Sequence, residues 1–123
     1  MPGPLTVLLV ESKEESEWAL ADLVAAQGYR VQRVAAPEAA FASVSSGEPD
    51  ILIAAGGLPA PALATLCRRA GELAIPILVT VPADSPDAVI AAIRLGAYDC
   101  LPVLAHGAVP AEIVAAALRR AEA

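Results

Sequence analysis

Aromatic side chains are scarce in this chain of 123 residues: they make up 3% of it, although 57% of its residues are hydrophobic. We therefore expect a core of Ala, Val, Leu and Ile, whose small side chains let helices lie close to a sheet. The two cysteines, Cys67 and Cys100, lack the spacing of metal ligands and are predicted to be buried thiols. The single histidine, His106, has no Ser or Cys partner at a nucleophile elbow, so the sequence indicates no enzyme.

Long apolar segments and an excess of basic residues are missing as well. No apolar run approaches the roughly 18 residues that span a membrane, because Pro, Gly or a charge interrupts each one. The first four residues, Met-Pro-Gly-Pro, lack the basic region of a secretion signal, which favours the cytoplasm. With 14 acidic and 8 basic residues the net charge is −6, which argues against nucleic-acid binding because the phosphate backbone would be repelled.

Short apolar runs alternate with longer amphipathic segments, which is typical of βαβ units and a parallel sheet. The predicted strands cover 5–10, 29–34, 51–55, 77–81 and about 99–103. The predicted helices run from a cap at Ser12 to about 27, from 37 to the 45–49 segment, and over about 61–70, 86–95 and 111–120. Right-handed crossovers then give one α/β domain over 1–123, a doubly wound five-stranded sheet of flavodoxin-like order 2-1-3-4-5 with five helices.

Three segments carry a resemblance to a known family. Asp50 is followed five residues later by Ala55 and four further on by Pro59; the other two segments are Val10-Glu11-Ser12 and 96–101, Gly-Ala-Tyr-Asp-Cys-Leu. Their order and spacing resemble the receiver domain of bacterial two-component response regulators. The resemblance implies a phosphorylation site at the carboxyl ends of the strands. That site has two acids for Mg²⁺, an acceptor Asp, a Thr or Ser, and a Lys.

Most of these chemical positions are changed here. Glu11 keeps the first acid, but Ser12 replaces the second and Ala55 replaces the acceptor. Counting five residues from the proline before the fourth strand places Val81 at the hydroxyl, and Thr80, one residue early, should face the other way. Val103 occupies the position of the family's Lys. Cys100 occupies the position of an aromatic residue that, in the family, changes rotamer on activation. The resemblance thus predicts a degenerate pseudo-receiver that binds no metal or cofactor.

The leading interpretation is a protein–protein interaction module of bacterial signalling that works without phosphorylation. An alternative is a small-molecule sensor, whose ligand would occupy a crevice lined by Ala55, Val81 and Val103. A third is phosphorylation at an unusual residue such as Ser12. Glu11 is interpreted as a solvated acid at a strand end, and Gly56-Gly57 as a permissive turn.

The interaction surface is predicted on the fourth helix, fifth strand and fifth helix, which the resemblance gives as the usual output and dimer face. Ile90 is expected in the core, while Val89 and Ile93 form an outward apolar stripe with Cys100 beside them. The partner would be another protein or a second copy, and a C-terminal output domain could follow. Trp18 on the first helix is the next candidate.

Overall fold

The computed structural model describes residues 3–11, 18–104 and 107–123. Within these residues five parallel strands form one sheet of order β2-β1-β3-β4-β5, and five helices connect them. The strands are β1 (Thr6–Val10), β2 (Arg30–Val34), β3 (Ile51–Ala54), β4 (Ile77–Pro82) and β5 (Asp99–Val103). The helices are α1 (Trp18–Ala26), α2 (Pro37–Ser46), α3 (Ala60–Glu72), α4 (Pro86–Leu95) and α5 (Ala111–Glu122). The predicted flavodoxin-like topology is confirmed.

The core lies on both faces of the sheet, as expected for a parallel sheet covered by helices. On one face, side chains from β1, β3 and β4 pack with α2, α3 and α4; we call this the α2–α4 cluster. On the other face they pack with α1 and α5, in the α1–α5 cluster. The largest fully buried side chains are all Leu, Ile or Val, which confirms the aliphatic core.

Helix ends follow local sequence signals. Ser85 caps α4 by accepting a hydrogen bond from the Ala88 N–H at 3.3 Å, and Gly96 ends the helix with a φ of 107°. The helix α3 is longer than predicted at both ends and α5 is longer at its C-terminal end. The predicted cap of α1, Ser12, lies outside the described residues. Within the described residues, no helix is long and apolar enough to cross a membrane.

Both tyrosines of the chain hold the last turn of α5 against the start of a strand. The Tyr98 hydroxyl donates to the Arg120 carbonyl at 2.9 Å, and the Arg120 guanidinium contacts the Asp99 carboxylate at 2.6 Å. The Tyr29 hydroxyl donates to the Glu122 carboxylate. Burial and this hydrogen bond to a carboxylate raise the pKa of Tyr29 to about 12. The end of α5 is therefore fixed to both edge strands, β2 and β5.

Candidate functional site

The carboxyl edge of the sheet brings together most of the residues that the sequence singled out. Glu11 directly follows β1 and Ala55 directly follows β3, and the strands are in register with Val10 opposite Ala54. Val81 and Val103 lie near the ends of β4 and β5, where Pro82 pairs with Val103. Ser12 lies outside the described residues. In open α/β sheets ligands bind at this edge, so this is the candidate site.

Ala55 is fully buried at the centre of this edge. Its N–H donates to the Val10 carbonyl at 3.0 Å, and its carbonyl accepts from the Leu58 N–H at 3.2 Å. Its methyl group belongs to the α2–α4 cluster together with Leu58 and Val81. A methyl group offers neither a nucleophile nor a metal ligand, and here it is also covered from solvent.

Glu11 is paired with a cation, and the expectation of a solvated acid is wrong. Its Oε1 lies 2.5 Å from Nε of Arg33 on β2, and its side chain is only 14% exposed. Its backbone N–H is also engaged, donating to the Val34 carbonyl at 2.9 Å. The carboxylate of Glu11 is thus neutralised by a cation on the neighbouring strand. Within the described residues, no group of three or more His, Cys, Asp or Glu could hold a metal ion.

Thr80 alternates with Val79 and Val81, which both pack in the α2–α4 cluster, so it faces the other way as expected, but its hydroxyl contacts the loop after Ala55. The residue is 2% exposed, and its Oγ1 accepts a hydrogen bond from the Gly56 N–H at 3.0 Å. Counting five residues from the proline before β4 leads to Val81, so this count does not indicate Thr80 as a hydrogen-bond partner of the loop after β3. A usable signal was present, since a Thr inside an apolar buried strand needs a hydrogen-bond partner.

Gly56 is required by a close backbone approach. A Cβ at this position would lie 2.1 Å from the Thr80 carbonyl oxygen, far inside van der Waals contact. The described glycines with positive φ are Gly28, Gly47, Gly96 and Gly107, so left-handed backbone is not what selects Gly56. The predicted turn over 56–57 is present, but glycine at residue 56 is required by this close approach and not by a permissive backbone conformation. The loop is tied to β4 both by sterics and by the Thr80 hydroxyl.

The three apolar residues of the proposed sensor crevice do not line one space. Val81 is 5% exposed and packs in the α2–α4 cluster beside Ala55. Val103 packs on the opposite face of the sheet, against the α1–α5 cluster. A cavity of about 600 Å³ lies at the other end of the sheet, where β4 and β5 begin. Residues lining it include Ile75, Pro76, Ile77, Ala97 and Tyr98.

The interface candidates on α4 are exposed, but the helix is rotated from the predicted setting. Val89 and Ile93 are 38% and 51% exposed, as an outward stripe requires. Ile90, expected in the core, is 49% exposed, and Ala92 is buried instead. Alanine fits this contact because it brings the helix axis closer to the sheet than isoleucine would.

The two remaining interface candidates give less support to the predicted surface. Cys100 is only partly exposed and packs toward the α2–α4 cluster, rather than standing openly beside Val89 and Ile93. Burial, together with the charge of Asp99, raises the pKa of the Cys100 thiol. Trp18 is the first residue of α1, and its side chain lies outside what the structure describes.

No protein-family model and no curated protein matches the chain. Among solved structures it is similar to a Chloroflexus aurantiacus protein described as a response regulator, at 25% identity and a TM-score of 0.82, covering 97% of this chain and 98% of that one. The receiver domain of a Pseudomonas aeruginosa sensor histidine kinase, with magnesium in its active site cleft, matches at 19% identity and a TM-score of 0.79, covering 98% of both chains. Chemotaxis response regulator CheY4 of Vibrio cholerae matches at 19% identity and a TM-score of 0.71, covering 96% of this chain and 98% of that one. The chain therefore has the CheY-like fold of response regulator receiver domains.

The contact between Thr80 and Gly56 can be tested by removing the hydroxyl. Thr80→Val keeps the shape of the side chain but leaves the Gly56 N–H without its acceptor, so we expect a loss of about 1 kcal/mol in the free energy of unfolding. The Gly56 amide should also exchange its hydrogen faster. The matched control is Thr65→Val on α3, whose hydroxyl only donates to the Pro61 carbonyl within the same helix. Unchanged amide exchange at Gly56 would contradict the assigned contact.

An acid at residue 55 should destabilise the fold. Ala55→Asp places a carboxylate in a fully buried site with no neutralising cation at Val103, and we expect a loss of about 1 kcal/mol or more in urea unfolding. Burial would raise the pKa of the new carboxyl above its unfolded value. The loss should therefore be smaller at pH 5 than at pH 7.5, because stability falls with rising pH until the folded-state pKa is reached. Ala55→Asn, similar in size but uncharged, separates charge from volume. An Ala55→Asp variant as stable as the parent chain would contradict the expected destabilisation.

Proposed function

We propose that this chain is a receiver-like domain that acts as a protein–protein interaction module without being phosphorylated, and that it is not an enzyme. The observation that carries the proposal is the fully buried Ala55 at the position of the acceptor Asp. Phosphoryl transfer to a receiver needs a nucleophile, and divalent-ion chemistry needs several oxygen ligands. The methyl group of Ala55 supplies neither.

The contacts around Ala55 support the same proposal. The carboxylate of Glu11 is taken up by Arg33, and the hydroxyl of Thr80 is taken up by the Gly56 N–H. In a phosphorylatable receiver an acid at this edge helps to hold the metal, and the position of the switch hydroxyl corresponds to Val81 in this chain. The acid of Glu11 is satisfied within the fold, and Thr80 holds the loop after Ala55 against β4, so the edge is suited to a fixed scaffold and not to a phosphorylation-dependent change.

An exposed apolar surface supports the interaction role. Three large aliphatic side chains of α4, Val89, Ile90 and Ile93, are each more than a third exposed. Contiguous exposed apolar residues on a small domain generally mark a contact surface. We therefore place the partner, another protein or a second copy, on the face formed by α4, β5 and α5. The net charge of −6 argues against nucleic acid as the partner.

The sensor alternative has less support, because Ala55 and Val81 offer almost no accessible surface and Val103 packs on the other face. A thermal-shift screen with nucleotides tests it directly. A nucleotide-dependent shift in Tm would favour the sensor over the interaction module.

Chemical inertness is the first expected outcome. Incubation with acetyl phosphate and Mg²⁺ should leave the intact mass unchanged, because Ala55 provides no acceptor. Ala55→Asp, treated in parallel, should also stay largely unmodified, since Val103 supplies no cation for the phosphoryl group. A receiver domain that keeps its acceptor Asp serves as the positive control. A phosphoryl adduct on the parent chain would refute phosphorylation independence.

The surface assignment makes a separate prediction. Val89→Glu combined with Ile93→Lys should leave the circular dichroism spectrum intact, since both side chains are exposed, but should abolish self-association or partner capture in sedimentation and pull-down experiments. The control is Leu73→Glu, which removes a similarly exposed apolar side chain, 46% exposed, at the end of α3. If binding is the same in the double variant and the control, the interface lies elsewhere.

A further inference from the structure

The outer face of α4 has an apolar centre. Ala92 is buried against the sheet and Ala88 is partly buried there. At 3.6 residues per turn, the position midway between them in sequence lies on the opposite side of the helix. That position is Ile90, which is 49% exposed and so forms the outermost point of the helix. Val89 and Ile93 lie on one flank of Ile90.

Opposite charges stand on the other flank. Asp87 is in the first turn of α4 and Arg94 is in the last, and both are exposed. They are seven residues apart, which is about two helical turns and about 10 Å along the axis. Neither forms a salt bridge with another residue of the described ranges. Ile90 lies close to the midpoint between them.

Two copies of α4 that lie antiparallel present opposite charges to each other at both ends of the contact. We propose that α4 docks antiparallel against α4 of a second copy of this chain, about a two-fold axis near Ile90. Asp87 of each copy then faces Arg94 of the other, on one side of the contact. Val89 and Ile93 of both copies meet on the other side, because a two-fold axis between antiparallel helices keeps each flank on its own side. Parallel docking about a two-fold axis would instead exchange the flanks, so that Asp87 and Arg94 of each copy would face the apolar flank of the other and remain unpaired.

The proposal rests on the proposed function and narrows it to one partner. The helix α4 has 10 residues, about 15 Å, so a contact centred on it is small and the dimer should be weak and concentration-dependent. Each copy also carries a net charge of −6, and the resulting repulsion is reduced near physiological salt. Self-association should therefore be measured at micromolar to millimolar protein in about 0.15 M salt.

Charge reversal provides the test. Asp87→Arg alone and Arg94→Asp alone each place like charges opposite one another at both ends of the contact, and each should weaken the dimer about tenfold or more in sedimentation experiments. An equimolar mixture of the two variants should associate again, since one copy carries Arg at both positions and the other Asp at both. The double reversal on one chain should also restore the homodimer. Glu38→Arg, in the first turn of α2, controls for net charge and for the helix dipole.

Each result is decisive. Loss in the single variants with recovery in the mixture supports the antiparallel pair. A parent chain that stays monomeric at millimolar concentration overturns it, as does a dimer that the single reversals leave unchanged or that the mixture fails to restore. If the homodimer fails this test, a different protein can still bind the α4 surface. Loss of that binding in the Val89→Glu, Ile93→Lys variant would support the proposed interaction module without the homodimer. A phosphoryl adduct would refute phosphorylation independence without bearing on the dimer.

Discussion

The close approach of Gly56 to β4 constrains the whole carboxyl edge of the sheet. Without a side chain, Gly56 can lie against the Thr80 carbonyl and donate its N–H to the Thr80 hydroxyl. The loop after β3 is thereby drawn over the strand ends, and Leu58 is buried with Ala55 beneath it. The structure continues the hydrophobic core up to the edge.

Charge at this edge is balanced within the fold. An isolated acid beside buried apolar residues would destabilise the folded state, because removing a carboxylate from water without a partner is costly. Arg33 on β2 provides that partner for Glu11 across the neighbouring strand. The polar groups described at this edge are therefore satisfied within the fold, Glu11 by an ion pair and Thr80 by a backbone donor.

Much of the fold could be predicted from the chain, because buried parallel strands and glycine-terminated helices leave strong local signals. The runs that became β1, β3 and β4 contain almost only apolar residues, and Gly47 and Gly96 end α2 and α4 as expected. The rotation of α4 was not predictable in the same way. Isoleucine and alanine both satisfy a hydrophobic pattern, and the choice of Ala92 over Ile90 depends on the distance between helix and sheet. That distance is a tertiary property.

At the candidate site, the chemistry that a single side chain offers can be read from the sequence, whereas the contacts between pairs of residues cannot. Ala55 lacks an acceptor in any conformation, so its chemistry follows from its identity. The pairing of Glu11 with Arg33 and of Thr80 with Gly56 joins residues 22 and 24 positions apart in sequence. Such contacts depend on strand register and on loop path. Counting residues from the proline before β4 shows neither the strand register nor the path of the loop.

The burial of Ala55 also has an evolutionary meaning. If this chain descends from a phosphorylatable receiver, its loss of the acceptor is difficult to reverse one substitution at a time. An acid regained at residue 55 would enter a closed apolar site before any cation is regained at residue 103, and a lysine regained first would have no anion to neutralise. We expect the first of these intermediates to be less stable than the present chain and neither of them to gain phosphorylation. Under the proposed function, epistasis of this kind would leave the exposed face of α4, and not the closed edge of the sheet, as the part of the molecule on which selection can act gradually.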